Sequence, residues 1–310
     1  MRGLADKDDD LTLWEHPLWA ALVKTVLVLS ILALGGGYLG WLHPAGDSLS
    51  VFRGIAAALV FIAALLAISA GMRHAAFGAI LLSLLTGTSV LLAHVWPGPP
   101  GTVTLYQKNL LYRNAELAAL EADIRAAAPQ ALTLQEVSVP NRALLANLAD
   151  LLPTQLHCPL GVRGGTAVAS ALPGVPGSEV CAPGLSAMQV VYRDAPVWIV
   201  SVHLSWPWPM RQAGHATEIA GVLAGLEGPV LMGGDFNMAR WGHSVQRLAA
   251  VAGVRPAGPM RGSFLGFSFL GFGPLLRLPL DHALAPYGGR VDYRPALGSD
   301  HLGLLARLAL

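Results

Sequence analysis

The chain has 310 residues, of which 54% are hydrophobic and only 13% are charged, and its formal net charge at pH 7 is +1. It is too apolar for an ordinary soluble protein of this size. From residue 101 onward, 15 Lys and Arg residues stand against 13 Asp and Glu residues. This near balance lacks the strongly basic footprint of a protein that grips several nucleic-acid phosphates.

Three long apolar stretches lie near the amino terminus. Residues Leu18–Leu42 carry one charge, on Lys24, whereas Gly54–Met72 and Ala75–Trp96 contain no Lys, Arg, Asp or Glu. Each stretch is about long enough to cross a hydrocarbon core of ~30 Å as a helix. A secretory signal peptide fits the first stretch less well, because four Asp residues precede it and its apolar length is greater than usual. We predict three transmembrane helices within residues 18–96.

The predicted topology places the rest of the chain outside the cytoplasm. Three spans put the two termini on opposite sides. Arg2, Lys7 and Arg73 then lie on the same side as the amino terminus, whereas Arg53 lies on the other side with the rest of the chain. This is a small excess of positive charge on the amino-terminal side, which favours a cytoplasmic amino terminus. We therefore expect a multi-pass protein of a bacterial-type cell membrane with an extracytoplasmic domain. The predicted boundaries are a polar segment at 1–17, a membrane region at 18–96, a Pro/Gly linker at 97–102 and a domain at 103–310.

The two cysteines, Cys158 and Cys181, both lie in the predicted domain. Two thiols in an outward-facing domain are compatible with a disulfide and equally with a pair of buried thiols, so both readings stay open.

Beyond the linker, short apolar runs alternate with amphipathic segments, and Asn114 is placed to cap the first helix. Strands outnumber helices and several are consecutive, which predicts a mixed sheet architecture. The predicted strands are Thr102–Leu110, Ala131–Leu134, Gly165–Ser170, Ala187–Tyr192, Val197–Leu204, Pro229–Met232, Leu280–Ala285 and His301–Leu308, and the predicted helices are Asn114–Ala128, Asn141–Leu152, Met210–Leu226 and His243–Ala252.

Two aromatic segments have two readings each. The Gly/Phe-rich stretch Gly262–Gly273 is either an irregular loop tucked into the core or an apolar lip against a bilayer or a lipid tail. The stretch Trp206-Pro-Trp208-Pro209 is either a packed corner or an aromatic wall beside a bound phosphate.

The run Val230–Met238 delivers a carboxylate, Asp235, and an amide, Asn237, at the end of a buried strand. Gly233 and Gly234 are expected to let the backbone turn sharply and approach a ligand. In extended chain the two polar side chains would point the same way. A carboxylate can accept a proton from water, and an amide can orient it, although Asp and Asn also cap ordinary turns.

Other apolar strands end in the same kind of residue. Taken singly, each is explained by a solvated strand end, a structural histidine or a turn. Their recurrence within one domain predicts a shared site. The candidate residues are Asn109, Glu136, His203, Asp235, Asn237, Asp281, Asp300 and His301.

In this order, the domain resembles the endonuclease/exonuclease/phosphatase superfamily, the DNase I-like enzymes. The most specific matches are Gln135-Glu136, Gly234-Asp-Phe-Asn237 and Ser299-Asp-His301. Supporting matches are Gly165–Ser170, Val202–Pro207 and Leu280–Ala283, with Asn109. The resemblance implies a four-layer α/β sandwich, preceded here by the three predicted spans, with the site at one edge of two sheets.

The resemblance also implies roles. Glu136 is similar to the carboxylate that binds a divalent metal, with Asn109 and Asp300 completing its site, and Mg²⁺ suits such oxygen ligands, with Mn²⁺ as the alternative. Leu111 stands where some family nucleases have an acidic residue, so the metal would depend mainly on Glu136.

The remaining residues match the reacting groups of the family. Asp235 resembles the group that orients or deprotonates the attacking water, and Asn237 would hold it and the phosphate in register. His301, backed by Asp281, and His203 would donate to the phosphoryl oxygen. An Asp partner raises the pKa of a histidine and fixes its tautomer.

The combination of spans and domain is similar in architecture to bacterial membrane phosphoesterases of the VanJ type. It implies two partners, the lipid bilayer and a phosphorylated substrate, and the first hypothesis is hydrolysis of a membrane-lipid phosphate or diphosphate. A tethered nuclease is the alternative, and would need basic residues such as Arg163, Arg211 and Arg240 to converge. A third hypothesis, a catalytically silent binding module, conflicts with the competent residue at every matched position.

Overall fold

The computed structural model describes residues 16–161, 164–269 and 272–310. The predictions made for residues 1–15 and for Arg163 lie outside these ranges. The described residues up to Leu92 form one compact unit, and Ala93–Leu310 form a second.

The amino-terminal unit is helical. Small residues of its third helix, including Ala56, Ala63 and Ala67, are buried with Val23 and Leu27 of the first helix, and small side chains permit close helix approach. Large apolar side chains face outward on the same helices. The helices are α1 (Pro17–Gly36), α2 (Ala45–Val51), α3 (Arg53–Ser69) and α4 (Arg73–Val95).

The prediction of three spans is only partly confirmed. By length and composition, α1 and α4 can each cross a membrane. The helix α3 qualifies only if it is counted together with α2, from which it is bent by 76°. The predicted first span also ends too late, because α1 ends at Gly36 and turns follow up to Pro44.

The second unit contains two sheets of six strands, a two-stranded hairpin and four helices among its described residues. The strands are β1 (Val103–Asn109), β2 (Ala131–Val137), β3 (Thr154–Cys158), β4 (Gly165–Ser170), β5 (Val180–Ala182), β6 (Leu185–Tyr192), β7 (Ala195–His203), β8 (Val230–Asp235), β9 (Arg255–Pro256), β10 (Phe264–Phe269), β11 (Phe272–Leu278), β12 (Asp281–Ala285), β13 (Gly289–Arg294) and β14 (Gly303–Leu308). The helices are α5 (Leu117–Ala127), α6 (Ala143–Asn147), α7 (Gln212–Leu223) and α8 (His243–Val251).

The first sheet has the order β13-β14-β1-β2-β4-β3, and the second has the order β5-β6-β7-β8-β12-β9. Each contains one parallel pair, β1 with β2 and β7 with β8, flanked by antiparallel neighbours. Parallel neighbours finish at the same sheet edge, so side chains that follow these strands are brought together.

The two sheets pack face to face around an apolar core. Leu105 and Val168 of the first sheet contact a cluster that includes Ile199 and Leu231 of the second. On the outer side of the first sheet, Leu120 of α5 lies in a separate cluster with residues of α6, and α8 contacts β9 on the second sheet. The mixed two-sheet α/β sandwich expected from the resemblance is confirmed.

Two local predictions are wrong. The helix expected at Asn141–Leu152 is a 3-10 turn at Pro140–Arg142 followed by the single short helix α6. The loop reading of Gly262–Gly273 fails, because β10 and β11 form an antiparallel hairpin there. At the predicted linker, the Gly98 carbonyl accepts from Arg290 and the Thr102 amide donates to Leu308.

The glycines before Asp235 serve packing and not a turn. Both lie inside β8. A Cβ atom on Gly233 would come 2.3 Å from the Thr133 Oγ1 of the facing sheet, and one on Gly234 would come 2.1 Å from the Val202 carbonyl oxygen. Glycine therefore lets the two sheets and the neighbouring strand approach closely beneath the site.

The two cysteines are joined. Cys158 at the end of β3 forms a disulfide with Cys181 in β5, with a Cα–Cα distance of 5.5 Å. The bond links edge strands of the two sheets, and it decides between the two readings that the sequence left open.

Candidate active site

The register of the strands assembles the candidate residues at one edge of the sandwich. In the first sheet Asn109 lies beside Gln135, and in the second sheet His203 lies beside Asp235. The antiparallel strand β12 places Asp281 directly opposite Asp235. Polar residues at or near the ends of five strands therefore converge from both sheets.

Asn109 bridges two carboxylates. Its Nδ2 donates to Asp235 Oδ2 at 2.9 Å and lies 3.3 Å from Glu136 Oε1. Its Oδ1 accepts from the Leu111 amide at 3.0 Å, and the Tyr112 amide donates to Glu136 Oε2 at 2.9 Å. Two acidic groups are thus held together by donors, with Asp235 buried and Glu136 half-buried.

The backbone is strained where two of these residues stand. Glu136 has a φ of +55° and follows an irregularity in the pairing of β2 with β4. Asn237 has a φ of +48°, so the prediction that it continues the extended chain of Asp235 is wrong. Left-handed non-glycine residues and bulges concentrate at functional sites, where they re-aim side chains.

Asn237 is held in place by its backbone and its amide. Its backbone N–H donates to Asp235 Oδ1 at 2.9 Å, and its Nδ2 donates to the Leu204 carbonyl at 2.8 Å. Its buried Oδ1 has no hydrogen-bond partner among the described residues. An unsatisfied buried acceptor is costly, which indicates that a donor or cation from outside the chain belongs there.

His301 lies between two buried carboxylates. Its Nδ1 is 2.7 Å from Asp281 Oδ2, and its Nε2 is 3.6 Å from Asp235 Oδ2. The second histidine, His203, has its Nε2 3.7 Å from the same Asp235 oxygen and is more exposed. Asp300 stands at the rim, with its Oδ1 4.0 Å from His301 Nε2 and its side chain 39% exposed.

These contacts shift the three buried groups in different directions. Burial raises the pKa of Asp235, and the charge of His301 opposes this only in part. Burial acts on Asp281 in the same sense, but the charge and hydrogen bond of His301 outweigh it and lower the pKa. For His301, burial alone would lower the pKa, yet Asp281 and Asp235 together raise it to about 9. Neighbouring carboxylates with opposite shifts suit divided acid–base roles.

Four supporting residues were given no role in the sequence analysis. Gln107 Nε2 donates to Asp281 Oδ1 at 2.9 Å and also to Gln135 Oε1, which ties the two sheets beneath the site. Ser263 accepts from the Asp281 amide, and Ser299 accepts from the His301 amide while donating to the Asn109 carbonyl.

The fourth is Lys108, a fully buried lysine next to Asn109. Its Nζ donates to the carbonyls of Ala296 at 2.6 Å and His301 at 2.5 Å. Burial lowers its pKa to about 8, against the raising effect of Asp281 and Asp300. A lysine within β1, directly before Asn109, was the available signal, because a lysine that is buried in a strand needs partners for its charge.

The donors present fit a divalent cation. Glu136 and Asp300 are partly exposed carboxylates and the Asn237 Oδ1 is unsatisfied, and hard oxygen atoms of this kind are the ligands that such ions prefer. By distance alone, Asp235, Asp281 and His301 could also hold a metal, since their ligand atoms lie within 4.8 Å of one another. The short hydrogen bond between His301 and Asp281 favours proton transfer over metal binding as the role of these three residues.

This fold and this site define a hydrolase that acts on phosphate esters with a divalent metal. The model of the Endonuclease/Exonuclease/phosphatase family matches residues 106–301, and the chain belongs to that family. It is therefore a hydrolase acting on ester bonds, as the resemblance implied.

Solved structures agree on the fold. An endonuclease/exonuclease/phosphatase family protein from Leptotrichia buccalis is similar at a TM-score of 0.53 and 14% identity, over 67% of this chain and 100% of that chain. Truncated TDP2 from Caenorhabditis elegans is similar at a TM-score of 0.51 and 17% identity, over 66% and 96% of the two chains. No curated protein matches the chain.

Proposed function

We propose that the protein is a membrane-anchored, Mg²⁺-dependent phosphoesterase that hydrolyses a phosphate ester or diphosphate of a membrane lipid. The observation that carries the proposal is that one chain contains both a phosphoesterase site and two helices, α1 and α4, long and apolar enough to cross a membrane. A site tethered close to a bilayer meets lipid phosphates at high effective concentration.

In the proposed reaction, Asp235 orients water and accepts its proton. Its raised pKa makes this buried carboxylate a stronger base than an exposed one. Asn109 Nδ2 and the Asn237 amide hold both Asp235 oxygens, so the base is aimed before the substrate arrives.

His301 carries a proton to the phosphoryl oxygen in this proposal. With a pKa of about 9 it is charged at neutral pH, and Asp281 fixes Nδ1 so that Nε2 faces the site. His203 Nε2, on the other side of Asp235, supplies a second donor. Charged donors aimed at a developing negative charge are the larger part of such catalysis.

Glu136, with Asp300 and Asn109, would hold the Mg²⁺, or Mn²⁺ in its place. The ion would supply positive charge that stabilises the phosphoryl and leaving oxygens. In the arrangement described, Asn109 turns its nitrogen toward the carboxylates, so Glu136 and Asp300 provide the available oxygens.

Location outside the cytoplasm is part of the proposal. The Cys158–Cys181 disulfide supports it, because such bonds persist in oxidising compartments. The small excess of positive charge on the amino-terminal side points the same way.

The test uses the full chain in lipid nanodiscs with Mg²⁺. Three substrates run in parallel: a polyprenyl diphosphate, a phosphodiester lipid and double-stranded DNA, with phosphate, headgroup or nucleotide release as the readout. Asp235→Asn is the inactive variant, and Asp292→Asn, the same change at an exposed surface ion pair, is its matched control.

Release from a lipid that is lost in Asp235→Asn and kept in Asp292→Asn supports the proposal. DNA cleavage at comparable or better efficiency assigns the protein to the tethered nucleases. Lack of turnover on all three substrates, with metal bound, would support the silent binding module.

A further inference from the structure

A cleft of about 550 Å³ includes residues of the candidate site. Its polar lining includes Glu136, His203 and Asn237. Its apolar lining includes Trp206, Met210 and Leu160. A ligand pocket of this size usually combines an apolar lining with a few fixed polar groups.

The apolar lining residues remain exposed to solvent, so packing within the domain does not account for them. Trp206 is 42% exposed, Met210 is 63% exposed and Leu160 is 46% exposed. Grouped apolar side chains at the mouth of a polar site indicate a binding surface, whereas scattered ones do not.

The wall is fixed in place before any ligand binds. The Trp206 ring packs edge-on against the Phe264 ring at 5.6 Å and 71°. Phe264 is buried and its ring lies 4.9 Å from that of His301. The aromatic wall is thus connected by ring contacts to the proposed proton donor.

The loop that carries the wall is also bonded to the site. Gln212 Nε2 donates to the carbonyls of Ser205 at 2.8 Å and Asn237 at 3.2 Å. The His215 Nδ1 accepts from the Ser205 amide at 3.1 Å. A preformed wall avoids the cost of ordering side chains when a ligand binds.

We propose that the wall formed by Trp206 and Met210 is the subsite for an aliphatic chain bonded through oxygen directly to the phosphorus at the site. The inference rests on the proposed phosphoesterase function and names its substrate class. The wall begins three residues after His203 in the chain. The apolar part of the substrate therefore lies immediately next to its phosphate.

A nucleobase stacked on Trp206 is the competing occupant. The lining favours the chain, because the neighbouring wall residues are Pro209, Met210 and Leu204 and offer no groups that read base edges. Among the lining residues that the structure describes, the one guanidinium is that of Arg211, which is exposed and faces Glu218 at 3.3 Å.

The experiment measures how turnover depends on chain length. The full chain in nanodiscs is given two soluble series with Mg²⁺, alkyl diphosphates and alkyl p-nitrophenyl phosphodiesters, from ethyl to octyl. Each added methylene buried against the wall raises kcat/KM by up to about fourfold. The ratio of octyl to ethyl kcat/KM falls about tenfold or more in Trp206→Ala and in Met210→Ala.

The matched control is Trp208→Ala, which removes an indole of similar exposure, 49%, that does not line the cleft. This variant keeps the octyl-to-ethyl ratio. Calorimetry of octyl phosphate against inorganic phosphate, on Asp235→Asn, reads the same preference without turnover.

The outcomes separate this inference from the function beneath it. Hydrolysis of every member without a chain-length effect overturns the subsite and leaves the phosphoesterase standing. Preference for a thymidine p-nitrophenyl phosphate that depends on Trp206 assigns the wall to a nucleobase and overturns the proposal. Lack of turnover together with no chain-length effect in calorimetry overturns both.

Discussion

The first and second sheets of the catalytic unit each place a parallel strand pair at the centre, β1 with β2 and β7 with β8. Each pair ends in polar residues at the same edge. The carboxylates supplied from the first sheet side, Glu136 and Asp300, remain partly exposed, whereas Asp235 and Asp281 of the second sheet are buried. Equal topology therefore delivers carboxylates to two different environments.

The difference teaches how the chemistry divides. A partly exposed carboxylate keeps free oxygens for a cation. A buried carboxylate beside a histidine shifts the pKa of that histidine, and the histidine shifts the pKa of the carboxylate. The key bonds cross between the sheets, since Asn109 contacts Asp235 and Gln107 contacts Asp281. Neither sheet alone holds a complete site.

The largest expected effect is on the buried side. Asp235→Asn removes the proton acceptor and should lower kcat by about 10²–10⁴-fold. Raising Mg²⁺ should not restore activity, because the substitution leaves the exposed carboxylates unchanged. Steady-state kinetics across a Mg²⁺ titration measures both; recovery at high Mg²⁺ would show that Asp235 serves the metal.

Asp281→Asn tests the same side through pH. His301 must keep its proton to donate, so activity is present below its pKa of about 9 and is lost as the pH rises through it. Removing the Asp281 charge lowers that pKa, so the alkaline fall should move to lower pH, with kcat at neutral pH reduced about 10²-fold. The control is Asp292→Asn, and an alkaline limb that does not move in Asp281→Asn would contradict this role of His301.

Glu136→Gln tests the exposed side. Loss of one oxygen charge should weaken metal affinity by about 10–100-fold, with activity largely recovered at high Mg²⁺ or Mn²⁺. Isothermal titration of Mn²⁺ and the metal dependence of kcat check this, with Glu179→Gln, an exposed glutamate, as control. An unchanged metal dependence would move the cation to the Asp235, Asp281 and His301 group.

The sequence predicted the parts of this comparison that lie within one strand. Strand ends such as Asn109 and Asp235 are visible as polar residues after apolar runs, and the family resemblance supplied the two-sheet fold. The burial that separates Asp281 from Asp300 could not be predicted, because it depends on how the sheets face each other. Gln107 illustrates the limit, since its partner Asp281 lies 174 residues away.

The length of the first predicted span and the loop reading of Gly262–Gly273 were wrong for a different reason. Hydropathy counts apolar residues but does not register that the glycines at Gly35–Gly37 end a helix, so the first span was predicted too long. The glycines of Gly262–Gly273 favoured the loop prediction. Paired strands tolerate glycine at bulges, however, and the register of β10 with β11 does shift there.

Lys108→Met gives the smallest expected effect. It tests whether Lys108 acts on the proton donor or on the metal side of the site. Two charge-assisted bonds from Nζ hold the carbonyls of Ala296 and His301, and the buried ammonium carries a desolvation cost. Because the cost and the bonds oppose each other, we expect little change in Tm. The segment that carries Asp300 and His301 should loosen, lowering kcat about tenfold.

A positioning role predicts a specific pattern for this variant. Loosening the segment misplaces the proton donor, so kcat should fall while KM stays near its wild-type value, even at saturating Mg²⁺. Arg307→Met, which removes an exposed cation from β14, is the matched control and should leave kcat unchanged. Equal kcat in the two variants would mean that Lys108 only fills space, and a fall that Mg²⁺ reverses would place it with Glu136 on the metal side of the site.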